Sequence, residues 1–266
     1  MAGPILQQRL RFAPWMQAES RRLPGIMPLA PADWLQVDEA YSAQLALKAG
    51  LLETRRDEVH ALSQGARPAA GELLARVLIA LKTLPGFTCG DGRVRRPDGE
   101  WVTIDHDEPL VTLSRLVQED LVIMEKRGAE HVLTAALLCF PASWTLAQKF
   151  MKPLTVIHTP VAPYDADVAR RVQRLFDAIH ADRPLWRANA LFYEDPALYQ
   201  PRREEAPRQR AKGRAPFVRS ERQSLLRLPE TGAVVFSIHT TLVRRDALTP
   251  EQVAGLARHP IEEVPA

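Results

Sequence analysis

The sequence predicts an α+β fold, with helices first and then an antiparallel sheet interrupted by helices. Three observations carry this reading. Apolar residues recur at helical spacing between positions 34 and 81. The strand-like segments come late and include a long hairpin around Pro229-Glu230-Thr231-Gly232. The alternating strand–helix pattern of a parallel sheet is missing. The expected organisation is an arm and helical region over 1–84 and a sheet region over 85–266, packed as one compact unit.

Taken in order, residues 1–33 carry Pro4, Pro14, Pro24, Pro28 and Pro31 with little periodicity. Such a segment drapes over a surface or stays mobile. Asp33 precedes Trp34, Leu35, Val37, Tyr41, Leu45 and Leu47, which predicts a helix capped by Asp33 and running to about Leu52. A second helix follows Pro68 and stops at Pro85-Gly86. The turn Pro97-Asp98-Gly99 joins Arg93–Arg96 to Trp101–Ile104 as a hairpin. Residues Pro109–Met124 keep helical spacing, interrupted by Gln118-Glu119-Asp120. That run reads as a solvated turn of the helix or, alternatively, as polar groups that hold a neighbouring loop.

Residues 131–140 read as a buried strand, Asp165–His180 as an amphipathic helix and Leu185–Tyr193 as a strand. Phe217–Leu228 and Ala233–Val243 form the long hairpin, and Pro250–His259 is a closing helix. The first hairpin strand carries Arg219, Glu221, Arg222 and Gln223. If either of its faces is buried, these groups must be paired or must meet a ligand.

Composition narrows the function classes. The chain has 266 residues, 46% of them hydrophobic, and a formal charge of +3, so it can bury a real core. The run Arg202–Arg214 mixes both signs with Pro and Gly and reads as a solvated loop rather than a nucleic-acid surface. Cys89 and Cys139 have no zinc-type spacing, which favours a reducing, cytoplasmic setting. The first residues lack a signal-peptide pattern, and no apolar stretch approaches the roughly 18 residues of a membrane span. Gly-rich phosphate loops, the G-x-S-x-G elbow and H-E-x-x-H are missing as well.

The stretch Cys139–Pro163 organises the middle of the chain. It breaks at Pro141, presents Trp144 and Lys149, and ends a short helical turn at His158, just before Thr159 and Pro160. A histidine fixed in this way is suited to an iron or another metal, or else it is structural. His239, in a strand beside Phe236 and Ile238, is the rival ligand.

Several blocks, taken together in order, resemble the catalytic (alpha) subunit family of haem-dependent oxidative N-demethylases. They are PGIMPLAPADWLQVDEAY (24–41), LVQEDLVIM (116–124), CFPASW (139–144), a lysine followed by IHTPV (157–161), LWRAN (185–189) and RSERQSLLRLPETGAVVFSIHT (219–240). The resemblance implies a PAS-like antiparallel sheet that holds haem b, with flanking helices and an N-terminal helical extension. It implies O2-dependent demethylation of a small secondary amine such as dimethylamine. Electrons would come from NADPH through a flavin and iron–sulfur reductase, and formaldehyde would pass to folate-binding subunits. No nucleic-acid or membrane partner is expected.

Carried onto this chain, the resemblance makes His158 the axial haem ligand. It offers Arg187, Arg219, Arg222 and Arg227 for the haem propionates, with a cross-strand salt ladder as the competing reading. Glu221 would hold the protonated amine, and Glu221 with Arg222 would supply distal hydrogen bonds. Two departures stand out. Ala190 follows Asn189 where the family usually shows Trp, and V-A-P stands at 161–163 in place of V-P. They keep open a haem- or small-molecule-binding sensor or scaffold without turnover.

Overall fold

The computed structural model describes residues 3–21, 25–157, 166–206 and 215–261; for 166–169 only the backbone is described. His158, the V-A-P departure and residues 207–214 of the basic run lie outside the described residues. The elements follow in chain order. β1 (Met27–Pro28), α1 (Tyr41–Thr54), α2 (Arg56–Val59), β2 (His60–Leu62) and α3 (Arg67–Leu81) come first. Next are β3 (Thr88–Gly90), β4 (Arg93–Arg95), β5 (Trp101–Thr103), α4 (Pro109–Ser114), β6 (Asp120–Arg127) and β7 (Glu130–Leu137). The chain continues with α5 (Leu146–Lys149), α6 (Leu154–Ile157), α7 (Ala166–Ala178) and β8 (Leu185–Tyr193), and closes with β9 (Phe217–Arg227), β10 (Val234–Arg244) and α8 (Pro250–Arg258). Mixed helix and antiparallel sheet is thus the observed class.

Among the described residues the main sheet has seven strands in the order β1-β8-β9-β10-β6-β7-β2, and a second sheet of three strands has the order β3-β4-β5. Every pairing is antiparallel. The strands of the main sheet come from both ends of the chain, and the largest apolar cluster joins Leu73, Leu74 and Val77 of α3 to Leu121, Ile123, Leu226 and Val235 of the sheet. The opposite sheet face packs Val122, Met124, Ala136 and Leu225 against Leu146, Leu154 and Phe176 of α5, α6 and α7. Strand alternation therefore sorts side chains between a face covered by α1, α3 and α4 and a face covered by α5–α7.

Two expectations need correction. Helix α1 starts at Tyr41 rather than after Asp33, and Asp33 makes no cap. The reason is local. The backbone N–H of Gln36 donates to Glu119 at 2.9 Å and that of Asp38 to Gln118 at 3.0 Å, so these donors are bound to side chains and not available to a helix. The predicted helix Pro109–Met124 ends at Ser114, and its second half is strand β6.

Gln118, Glu119 and Asp120 are not solvated: all three are at most 1% exposed. They do hold a neighbouring loop, as the alternative reading had it. Gln118 also donates to Asp38 at 2.8 Å and Gln44 at 2.9 Å. Asp120 accepts from the backbone of Phe140 at 2.6 Å and pairs with the fully buried Lys48 at 3.3 Å. Burial drives the Asp120 carboxyl upward, and Lys48 with the backbone donors of Phe140 and Cys139 opposes this.

The arm drapes. β6 pairs with β10 only as far as Ile238. Beyond that point Gln7 donates its backbone N–H to the Leu242 carbonyl at 2.9 Å, and its side-chain oxygen accepts from Leu242 N–H at 2.8 Å. Gln44 completes the edge by donating to the Thr240 carbonyl at 3.1 Å. Trp15, 2% exposed, docks on α8 by donating its indole N–H to Gln252 O at 2.9 Å.

Removing one member of a buried ion pair strands the other charge. Asp120→Ala is expected to destabilise the fold by about 3–5 kcal/mol, read as a lowered urea midpoint.

Candidate functional site

The face under α5–α7 carries a polar patch where β8, β9 and β10 meet. The register sets Arg187 beside Gln223 and Asn189 beside Glu221, with Thr240 opposite Glu221 on the far side. Glu221 is 8% exposed and accepts from Gln223 at 3.1 Å and Arg219 at 3.4 Å. Arg187 Nε and Thr240 Oγ1 are buried without a hydrogen-bond partner. Burial works against the charge on Arg187, and Glu221 offsets part of that. A half-buried guanidinium with no ion pair, beside a fixed carboxylate, can take an anionic group on one side and an ammonium on the other.

The sequence-derived residues divide. Arg187 and Glu221 share this face. Arg222, the next residue in an extended strand, points to the opposite face, so Glu221 and Arg222 do not act side by side on one ligand. Arg219, 2% exposed, donates to the carbonyls of Leu198 at 3.1 Å and Phe140. Arg227 donates to Ile179 O and Phe176 O at 2.6 Å each and to Gly232 O, so it closes the C-terminal end of α7. Arg219 and Arg227 thus tie backbone segments together, and Arg187 is the arginine of this face with a free side. The salt ladder is reduced to the single contact of Arg219 with Glu221.

His239 lies on the other face, 3% exposed and between two carboxylates. Nδ1 is 3.1 Å from Glu119 and Nε2 is 3.0 Å from Asp38. With both nitrogens donating, the ring is an imidazolium and offers no lone pair to a metal. Burial, the largest single influence, would lower its pKa, but the hydrogen bonds and charges of Asp38 and Glu119 together carry it up to about 9. The rival to His158 is thereby removed. Among the described residues no group of three or more His, Cys, Asp or Glu side chains could hold a metal ion.

The chain before position 158 is firmly placed. Met151 N–H donates to Leu133 O at 2.8 Å and Leu133 N–H to Lys152 O at 3.1 Å, which lays this segment along the edge of β7. Thr155 donates to Glu130 at 2.6 Å. Lys149, 6% exposed, donates to the Ile157 carbonyl at 2.6 Å and pairs with Glu204. Sequence reading singled out Lys149 without a role. Its partners, eight and fifty-five residues away, leave no local signature.

Ala190, 7% exposed, packs with Leu10, Trp15, Val218 and Val243 on the face away from the patch. Its small side chain makes room for the arm and does not alter the lining of the patch.

Two outcomes follow. Because the pKa of His239 is raised above its ordinary 6.5, its contribution is complete below that pH and is lost as pH rises through about 9. Chemical denaturation should therefore show stability falling by about 3 kcal/mol between pH 7 and pH 10, with the slope flattened in His239→Gln. Lys149→Met should cost about 2 kcal/mol and raise amide exchange selectively at 154–157, measured by hydrogen–deuterium exchange.

Compared with known protein families, residues 25–266 match the one described as haem-dependent oxidative N-demethylase, alpha subunit-like.

Proposed function

Since the chain belongs to the haem-dependent oxidative N-demethylase, alpha subunit-like family, we propose that the polar patch under α5–α7 borders a haem b pocket in a PAS-like sheet, with His158 as the axial ligand. The observation that carries this reading is Arg187, whose buried Nε lacks a partner on the same face as Glu221. Haem carries two propionates, and a fixed guanidinium without an ion pair is what a propionate requires. The sheet supports the PAS-like reading. In the spatial order β7-β6-β10-β9-β8, helices α5–α7 are inserted between β7 and β8 and pack on the face that carries Arg187 and Glu221. The end of α6, held by Lys149, leads directly into His158.

Bound haem supplies O2 binding and iron redox chemistry. The reaction proposed is oxidative demethylation of a small secondary amine such as dimethylamine. An electron pair from a separate NADPH-linked flavin and iron–sulfur reductase, with two protons, would reduce one oxygen atom of O2 to water, while the other would leave with the N-methyl carbon as formaldehyde and the demethylated amine would be released. The contribution of the chain is positional. Glu221, oriented by hydrogen bonds from Arg219 and Gln223, accepts hydrogen bonds from the protonated amine and aims its methyl group. Gln223 and Asn189 offer neutral donors to oxygen. α5–α7 and their apolar side chains exclude water from one end of the face. Family membership as an alpha subunit supports further subunits, proposed to be the reductase and folate-binding components.

The test is an absorption spectrum of protein purified from cells supplied with a haem precursor. A strong Soret band is expected in the wild type, to be lost or shifted in His158→Ala and unchanged in His239→Gln. A featureless wild-type spectrum after haem reconstitution overturns the reading. With the band in place, formaldehyde release from dimethylamine under reductant and O2 separates an enzyme from a non-turning sensor.

A further inference from the structure

The opposite face of the sheet carries a cavity of about 260 Å³. Its floor is low because Ala188 and Ser220 are small, and the arm, Trp186 and Arg222 rise around it. Arg222 stacks over the Trp186 ring, 4.6 Å from its centroid, and Phe12 meets the same ring edge-on at 4.8 Å. One nitrogen of Arg222 donates to the carbonyls of Asp33 and Trp34, and among the described residues Arg222 makes no ion pair, although the Glu119 and Asp33 carboxylates act on it from farther off. Arg9 at the rim is exposed and makes no ion pair among the described residues.

The charges decide what fits. Asp38 also borders the cavity, but His239 neutralises it at 3.0 Å. Arg11 faces Glu39 at 3.8 Å. Glu119, the second carboxylate on His239, and Asp33 balance Arg9 and Arg222 overall, and these two arginines are the cavity's cations that make no ion pair among the described residues. Two such cations with carboxylates close by suit a monoanion better than a dianion such as phosphate. At about 30 Å³ per water-sized group, the volume suits a body of roughly ten non-hydrogen atoms. The indole and phenyl rings favour a flat apolar body, and the guanidinium forks favour a carboxylate.

We propose that this cavity is a second binding site, separate from the Arg187–Glu221 face, for a small planar organic carboxylate. The carboxylate bridges Arg9 and Arg222, and the body lies against Trp186 and Phe12. Because Arg222 and Glu221 are adjacent in β9, the two sites share one strand as their common wall.

The test is isothermal titration of the full chain with benzoate as the probe, with benzyl alcohol and inorganic phosphate alongside. Saturable binding of benzoate, weaker binding of phosphate and none of benzyl alcohol are expected. Arg9→Gln and Arg222→Gln should each weaken benzoate by about tenfold, and Arg187→Gln should leave it unchanged. Arg9 has no partner to lose, so its variant keeps the test valid even if Arg222→Gln fails to fold. No saturable binding of benzoate overturns the proposal. So does binding that is insensitive to Arg9→Gln, or binding abolished by Arg187→Gln, which would put the anion on the other face. None of these outcomes depends on whether His158 binds haem.

Discussion

Three consecutive polar residues at the head of β6 hold the fold together. Gln118, Glu119 and Asp120 are buried, and each reaches a different part of the chain: the 36–44 region, His239 of β10, and Lys48 with the Phe140 backbone. Buried polar groups are costly unless satisfied, so all these segments must arrive together or the cluster is unfavourable. A network of this kind specifies one arrangement of the helices, the arm and the sheet more strictly than apolar packing alone.

The same network explains how the two faces of the sheet came to differ. On one side, His239 bridges Asp38 and Glu119 beside an apolar layer with a small charged cavity at its edge, and Glu119 keeps one buried oxygen without a partner. On the other, Arg187 Nε and Thr240 Oγ1 are buried without a hydrogen-bond partner. Buried polar atoms without partners call for an explanation, and the proposed ligand would supply one for Arg187. Lys149 adds to this by fixing the end of α6 on that side.

Much of the fold could be read from the sequence because its signals are local. The long hairpin, β8, α3 and α8 depend on alternation, proline placement and turn residues within a few positions. The failures were long-range. The start of α1 and the strand nature of residues 120–124 depend on side chains about eighty residues away in sequence. A run such as Gln-Glu-Asp looks solvated until its partners are known. The candidate site was partly legible: residue type and resemblance singled out Glu221 and Arg187, and strand alternation separates Arg222 from them. That Arg219 and Arg227 serve backbone carbonyls was hidden, because a carbonyl acceptor has no sequence signature.

The pairing of Gln7 with the free stretch of β10 has a further consequence. An uncovered strand edge of that length is a template for another chain. The arm residues around Gln7 therefore act as a guard against edge-to-edge association. Trimming them, or displacing them with a bulky fusion at the front of the chain, would convert a monomer-compatible surface into an adhesive one while leaving the Arg187–Glu221 side of the sheet untouched.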